Sequence, residues 1–461
     1  MREAAATVAR LAAAFEEIGV DEGARIAVIG ANSPWHYIVH VAASWLRAVT
    51  VPLSPRMPSP ALTSMCEQVG VSWVFLDEAS SRTHAPALSD AGAQVASFAD
   101  LSAWADRAAP IGHPPARCGT ELAAILFTSG STGTPRPVEL THEVMWWGST
   151  NFREGFDYAP TSSVVGVCAP TSHIGGFNGT SMDTWTHGGT LVTLGFPGSF
   201  DARGVIDAIE RYGITMMFAV PAIVRAILDE HERGGGDLSS WVRPLIGGDA
   251  MTADLTDAMR TVGLSPIHVW GMTETSGAGT VATPDSGAPA GSLGVPFPYV
   301  DLRLMATDER EAGVGELGEI WVRGPGVVSG DEWLRTGDLA TKDEDGWLHM
   351  VGRAHRMINT GGELVAPPTV ERALRSLDEV SDALVVGLPD ERWGQIVAAL
   401  IVPSPEGRAQ ASSMSTEALS EALSDAQAPW EKVRRVLIVD ALPTTTTGKP
   451  DPVAAARLFD S

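Results

Sequence analysis

Apolar positions in this chain follow two rhythms, and the places where one gives way to the other mark out its architecture. Residues 1–20 place apolar side chains at helical spacing, interrupted by Glu3, Arg10, Glu16 and Glu17. That pattern is an amphipathic helix and not the unbroken apolar core of a signal sequence. The runs 25–29, 71–76 and 122–127 are apolar and too short for helices, so they read as buried strands. Alternating with helical stretches as far as about residue 165, they predict a largely parallel sheet. A second stretch of this kind covers about 164–290, with strands at 190–194 and 215–220 and helices at 203–212 and 222–232. From about 294 to 352 the texture changes to short strands punctuated by glycine, such as 318–323, which suggests a small β-rich subdomain. Beyond Arg356 helix (369–376), strands (382–386, 397–402) and helix (416–424) follow one another, the pattern of a small α+β domain.

The resulting expectation is an α/β protein. A large N-terminal domain, residues 1–355, holds two mainly parallel α/β sheets and a small β-barrel-like subdomain. A C-terminal α+β domain takes residues 356–461.

Composition narrows the chemistry. The 461 residues carry a net charge of −24, a field that repels nucleic acid and anionic membrane, so any anionic substrate must meet local positive charge or a metal. Cys66, Cys118 and Cys168 stand far apart with no C-x-x-C, which excludes a zinc knuckle or a disulfide framework and fits a reducing cytoplasm. No uncharged apolar run approaches membrane-spanning length. His36 and His40 have the i,i+4 spacing of a zinc pair, but no Glu follows His36. No G-x-S-x-G occurs, which removes the simplest serine hydrolase. Trp146, Trp147 and the 216–218 cluster read as core.

The most informative stretch follows the 122–127 strand. Thr128, Ser129, Gly130, Ser131, Thr132 and Gly133 offer backbone N–H groups and hydroxyls to an anion, Pro135 punctuates the exit, and Thr141 has the position of a helix N-cap. The Gly-Lys-Ser/Thr ending of a Walker A loop is missing. Taken alone, the same residues also describe an ordinary surface turn.

Six further motifs stand beside this loop in chain order. They are Pro170, Thr171, Ser172 and His173 leading to Gly176; Gly247, Gly248, Asp249 and Ala250; Trp270, Gly271, Met272, Thr273 and Glu274; Thr336, Gly337 and Asp338; Gly352 and Arg353; and Leu442 and Pro443 leading to Gly448 and Lys449. Together they resemble the adenylate-forming superfamily of acyl- and aryl-CoA ligases, luciferases and carrier-protein adenylation domains, over essentially the whole chain.

The resemblance implies an enzyme in which a carboxylate attacks the α-phosphorus of ATP. It gives the hydroxyl-rich loop to the β- and γ-phosphates, Thr273 to the α-phosphate, and Glu274 to Mg²⁺, for which a hard carboxylate oxygen is suited. Asp338 and Arg353 would hold the ribose. Gly248, Asp249, Ala250, Trp270, Gly271 and Met272 would surround adenine. Lys449 would bridge the acid and the α-phosphate as charge develops. His173, Gly176, Phe177, Gly248 and Met272 would line the acid pocket. Thr273 and Glu274 also suit a plain helix start, and Asp338 a solvated turn.

The implied reaction is activation of a carboxylic acid as its acyl- or aryl-adenylate, with release of pyrophosphate, followed by transfer to a thiol, chiefly that of coenzyme A. Two other acceptors stay open, a carrier-protein phosphopantetheine and a nitrogen nucleophile, as does a non-catalytic nucleotide-binding relative. Ile174 stands where amino-acid-activating relatives carry Asp. Arg136 and Pro137 replace Lys and Gly at the loop exit, and Arg356 occupies the position about which the family's C-terminal lid swings.

Overall fold

The structure is a computed structural model that describes residues 2–112, 119–129, 135–196, 200–249, 251–408, 430–444 and 450–460. Gly130, Ser131, Thr132, Gly133, Ala250 and Lys449 lie outside the described residues, as do Cys118 and the 416–424 helix. The chain divides into two compact units, residues 1–302 with 321–334, and residues 303–320 with 335–461.

Two sheets build the first unit. In the first sheet β1 (Arg25–Ile29), β2 (Val49–Leu53), β3 (Val71–Leu76), β4 (Gln94–Ser97), β5 (Leu122–Ser129) and β6 (Pro135–Thr141) take the order β4-β3-β1-β2-β5-β6. The first five run parallel, and β6 returns antiparallel along β5. Successive residues of β1 feed opposite cores, as the two-residue period of a strand requires. Ile26 and Val28 pack with Leu11, Val39 and Leu101 of three helices, whereas Ala27 and Ile29 pack with Leu62 and Leu88 of two others. Both faces are therefore covered, which is why these strands read as unbroken apolar runs.

The second sheet contains β7 (Val164–Val167), β8 (Thr190–Thr193), β9 (Met216–Ala219), β10 (Arg243–Gly247), β11 (Ile267–Trp270), β12 (Thr280–Ala282) and β13 (Val295–Pro296), in the order β13-β12-β11-β10-β9-β7-β8. Strands β7 to β11 are parallel, and β12 and β13 are antiparallel additions at one end. Met217 and Ile246 pack beneath helices Ala202–Tyr212, Pro221–Gly234 and Ala253–Thr261. Met216 is fully buried, but Trp146 corrects the sequence reading: on helix His142–Gly155 it is 53% exposed and stands edge-on to Trp147.

A four-stranded sheet, whose residues fall mostly in the second unit, is made in order of β14 (Asp301–Met305), β15 (Gly318–Arg323), β16 (Leu334–Lys342) and β17 (Leu348–Arg353). A mixed five-stranded sheet follows, made of β18 (Ile358–Thr360), β19 (Glu363–Val365), β20 (Val380–Asp390), β21 (Gly394–Pro403) and β22 (Arg435–Ile438). One face, with Ala383 and Val385, packs on Val370 and Leu374 of helix Pro367–Arg375. The other, with Leu384 and Val386, packs on Ala455 and Phe459.

Candidate active site

Because β7, β10 and β11 run parallel in one sheet, the segments that leave their carboxyl ends emerge at the same end of it. Those segments are 168–177, 248–249 and 271–275, so topology alone gathers three of the seven motifs. This is where open α/β sheets place their ligands.

The first segment ends in a short helix, Ile174–Phe177, with His173 at its N-cap. The His173 carbonyl accepts from the N–H groups of Gly176 and Phe177 at 3.1 and 2.9 Å. Gly176 has no substitute, because a Cβ there would lie 2.4 Å from the carbonyl oxygen of Pro170 and 2.5 Å from that of Ala169. Its own carbonyl accepts from the Tyr37 hydroxyl at 2.5 Å. Phe177 is fully buried and stands edge-on to the His40 ring within an apolar cluster that includes Leu126 and Met145.

Asn32, which no sequence signal marks, clamps the same segment. Its amide donates to the carbonyls of Val167 and Ala169 and accepts from the N–H of Thr171.

Gly247 ends β10 so close to β11 that a Cβ would sit 2.4 Å from the Val269 carbonyl. The Phe218 ring of β9 lies against both Gly247 and Gly175. Beyond it Gly248, at φ +80°, and Asp249 are exposed. Trp270 is 8% exposed, and Gly279 lies against its ring.

Thr273 and Glu274 stand in a single 3-10 turn, Thr273–Thr275. The Thr275 hydroxyl accepts from the Met272 N–H and donates to the Met272 carbonyl, at 3.1 and 3.0 Å. Ser276 follows in the left-handed region, at φ +51°. The Glu274 carbonyl accepts from the Val328 N–H at 2.9 Å, whereas its half-buried carboxylate makes no hydrogen bond or ion pair among the described residues.

Strand β6 runs beside this turn, so the hairpin flanking the glycine-rich loop approaches the same place. The register sets Thr128 against Arg136 and Phe127 against Pro137. Arg136 and Pro137 are thus strand residues rather than a loop exit. An edge strand tolerates proline because one side of its backbone has no partner. Thr141 caps the next helix, accepting from the Val144 N–H at 3.2 Å.

In the second unit the β16–β17 register sets Asp338 opposite Arg353. The Asp338 side chain is only 4% exposed and accepts from Arg353 Nε at 2.8 Å, while Arg353 itself is half exposed. The Asp338 N–H donates to the Thr336 hydroxyl, and Gly337 turns at φ +73°. Nearby, burial holds His355 below the usual imidazole range, and the Arg353 and Arg356 charges push it the same way against the pull of Asp338.

Arg356 reaches the buried Glu371 carboxylate at 3.4 Å, and that carboxylate also accepts from the Val385 N–H at 3.0 Å. Trp393 lies between the Arg392 and Arg434 guanidiniums, each 4.9 Å from its ring centre, and Gly361 rests on it. Thr444 and Pro450 pair on either side of the segment that carries Lys449.

Among the described residues no cluster of three or more His, Cys, Asp or Glu could hold a metal ion. Mg²⁺ is commonly held by one or two carboxylates plus substrate phosphates, and Glu274 offers one carboxylate. No helix among the described residues is long and apolar enough to cross a membrane.

Comparison with known proteins agrees in order and extent. The AMP-binding enzyme model matches residues 1–330, and the AMP-binding enzyme C-terminal domain matches 369–449. A feruloyl-CoA synthase from Amycolatopsis sp is 32% identical over 459 residues, covering 96% of this chain and 90% of that protein. An indoleacetate–CoA ligase from Aromatoleum aromaticum is 29% identical, with the same coverage. In fold, the chain resembles the o-succinylbenzoate CoA synthetase of Bacillus subtilis bound to its acyl-adenylate, with a TM-score of 0.87 at 22% identity, covering 98% of this chain and 92% of that one. The chain belongs to the AMP-binding enzyme family, the adenylate-forming acid–thiol ligases.

Proposed function

We propose that the chain activates an aryl carboxylic acid with ATP and Mg²⁺ and passes the aryl-acyl group to coenzyme A. A carboxylate oxygen attacks the α-phosphorus, the bond to the β-phosphate oxygen breaks, and pyrophosphate leaves. The thiol sulfur then attacks the mixed-anhydride carbonyl, the C–O bond to AMP breaks, and the thiol proton is released. The observation that carries this reading is the half-buried Glu274 carboxylate, which no described side chain engages, in a turn at the carboxyl end of a parallel sheet beside the β5–β6 hairpin.

Each residue has a stated part. Residues 128–133 grip the β- and γ-phosphates, with Arg136 adding positive charge behind them. Thr273 donates to the α-phosphate, and Glu274 holds Mg²⁺, which neutralises phosphate charge. Asp338, kept in place by Arg353, receives the ribose hydroxyls, and Arg353 has a half-exposed face left to donate to the same sugar. Gly248, Asp249 and Ala250 border adenine. His173, Gly176 and Met272 border the acid, with Phe177 forming the packed floor behind them. Lys449 bridges the acid and the α-phosphate, and residues beyond Arg356 act as a lid that brings it in.

An aromatic acid is favoured because the feruloyl-CoA and indoleacetate relatives are named for aryl-bearing acids. A cytoplasmic setting is supported by Cys66 and Cys168, which are free, buried and pushed up to about 12 by desolvation, and hence inert as thiols. The test is pyrophosphate release across a panel of cinnamic, phenylacetic, benzoic and medium-chain acids, with and without coenzyme A. Turnover on aryl acids that rises with coenzyme A supports the reading. Turnover that requires an acyl carrier protein, or a preference for aliphatic acids, replaces it.

A further inference from the structure

We infer that Asn178 is a positioning residue that holds the Thr273–Glu274 turn in register for the metal–nucleotide complex; this rests on the role proposed for Glu274. Asn178 is fully buried and follows directly on the His173–Phe177 segment. Its side-chain amide nitrogen donates to the Met145 carbonyl at 3.0 Å and to the Ser276 hydroxyl at 2.9 Å. The Met145 oxygen can only accept, so the amide orientation is fixed and Ser276 must be the acceptor in the second bond. On the other side the Ser149 hydroxyl donates to the Gly179 carbonyl at 3.1 Å and lies 3.4 Å from the Asn178 side-chain oxygen.

One side chain thus ties together three segments far apart in sequence. They are the helix that follows β6, the acid-pocket segment, and the turn that presents Glu274. Ser276 is the weak point that needs tying, because a residue with a Cβ at φ +51° occupies a sparsely populated conformation that persists only when its surroundings dictate it. The surroundings do so by contact as well as by hydrogen bonding. A Cβ on Gly148 would lie 2.5 Å from that of Ser276, so only glycine lets the helix pass this close.

Among the described residues, the Glu274 carboxylate makes no hydrogen bond in this network. Asn178 acts only through the backbone that aims Glu274.

The decisive variants are Ser276→Gly and Asn178→Ala, with Glu274→Gln as reference. Glycine accepts φ +51° without strain, so Ser276→Gly removes the hydrogen-bond acceptor while keeping the fold. Titration calorimetry of ATP binding, in EDTA and in Mg²⁺, reads the tightening that the metal confers, and thermal melting reads folding separately. The inference predicts that both variants bind ATP in EDTA within about twofold of wild type but lose roughly five- to tenfold of the Mg²⁺-dependent tightening, the size of one hydrogen bond's contribution. If Glu274→Gln loses the tightening and the other two keep it, Asn178 is structural and the inference falls alone. If Glu274→Gln also keeps it, the role of Glu274 falls and takes the inference with it.

Discussion

Two acidic side chains, Glu274 in the first unit and Asp338 in the second, sit in opposite surroundings. Asp338 is buried, opposite Arg353 across an antiparallel pair, and already bonded to it. Glu274 is half buried at the carboxyl end of a parallel strand, and its carboxylate has no hydrogen bond or ion pair among the described residues. A carboxylate with a fixed cationic partner is pre-aimed for neutral donors such as ribose hydroxyls, and its charge is already balanced. A carboxylate without one keeps its charge available for a cation that arrives with the substrate. The difference suits the separate parts proposed for the two side chains, Asp338 toward neutral sugar hydroxyls and Glu274 toward a metal ion.

Among the variants that test this contrast, Lys449→Ala is expected to have the largest effect, because the part proposed for its charge is in the transition state rather than in holding ribose or metal. Acid-dependent ATP–pyrophosphate exchange is expected to fall by on the order of 100-fold or more, with ATP affinity nearly kept. Asp338→Ala is expected to act on binding instead. It raises KM for ATP by about 30-fold, the loss of charge-assisted hydrogen bonds to the sugar, with the Mg²⁺ requirement unchanged in steady-state assays. Glu274→Gln should do the converse, raising the half-saturating Mg²⁺ concentration by about tenfold with little effect on ATP binding in EDTA. If the two variants gave the same profile, the contrast would be wrong.

The smallest effect on turnover at neutral pH is expected from the scaffold beneath the motifs of the first unit. Burial lowers His36 to about 4 and His40 to about 3, so both are neutral in the folded chain. An unfolded chain protonates them near the usual 6.5, so stability is full above that pH and is lost progressively as pH drops toward 4. Melting temperatures between pH 7 and 4 check this, and His40→Asn is expected to flatten the slope.

What the sequence revealed depended on whether the signal was local. The strands 25–29, 71–76 and 318–323 appear with the bounds that their apolar patterns predict. The Thr141 cap and the 203–212 helix also appear as read, to within a residue. Strand β6 escaped because Pro135 and Pro137 signal a loop exit locally, whereas its edge position makes them acceptable in a strand. Trp146 misled because an isolated aromatic says nothing about which side of a helix the core occupies.

The motif residues themselves were legible as motifs. The residues that aim them were not. Asn32 and Asn178 act on partners more than a hundred, or nearly a hundred, positions away, and nothing in their own neighbourhoods announces it.

The central claim is that the acid's own oxygen attacks the α-phosphorus. Turnover of an aryl acid labelled with ¹⁸O in both carboxylate positions, followed by mass spectrometry of the products, tests it most directly. The account predicts one labelled oxygen in AMP and the other in the thioester carbonyl. Label in orthophosphate, or AMP without label, would contradict it.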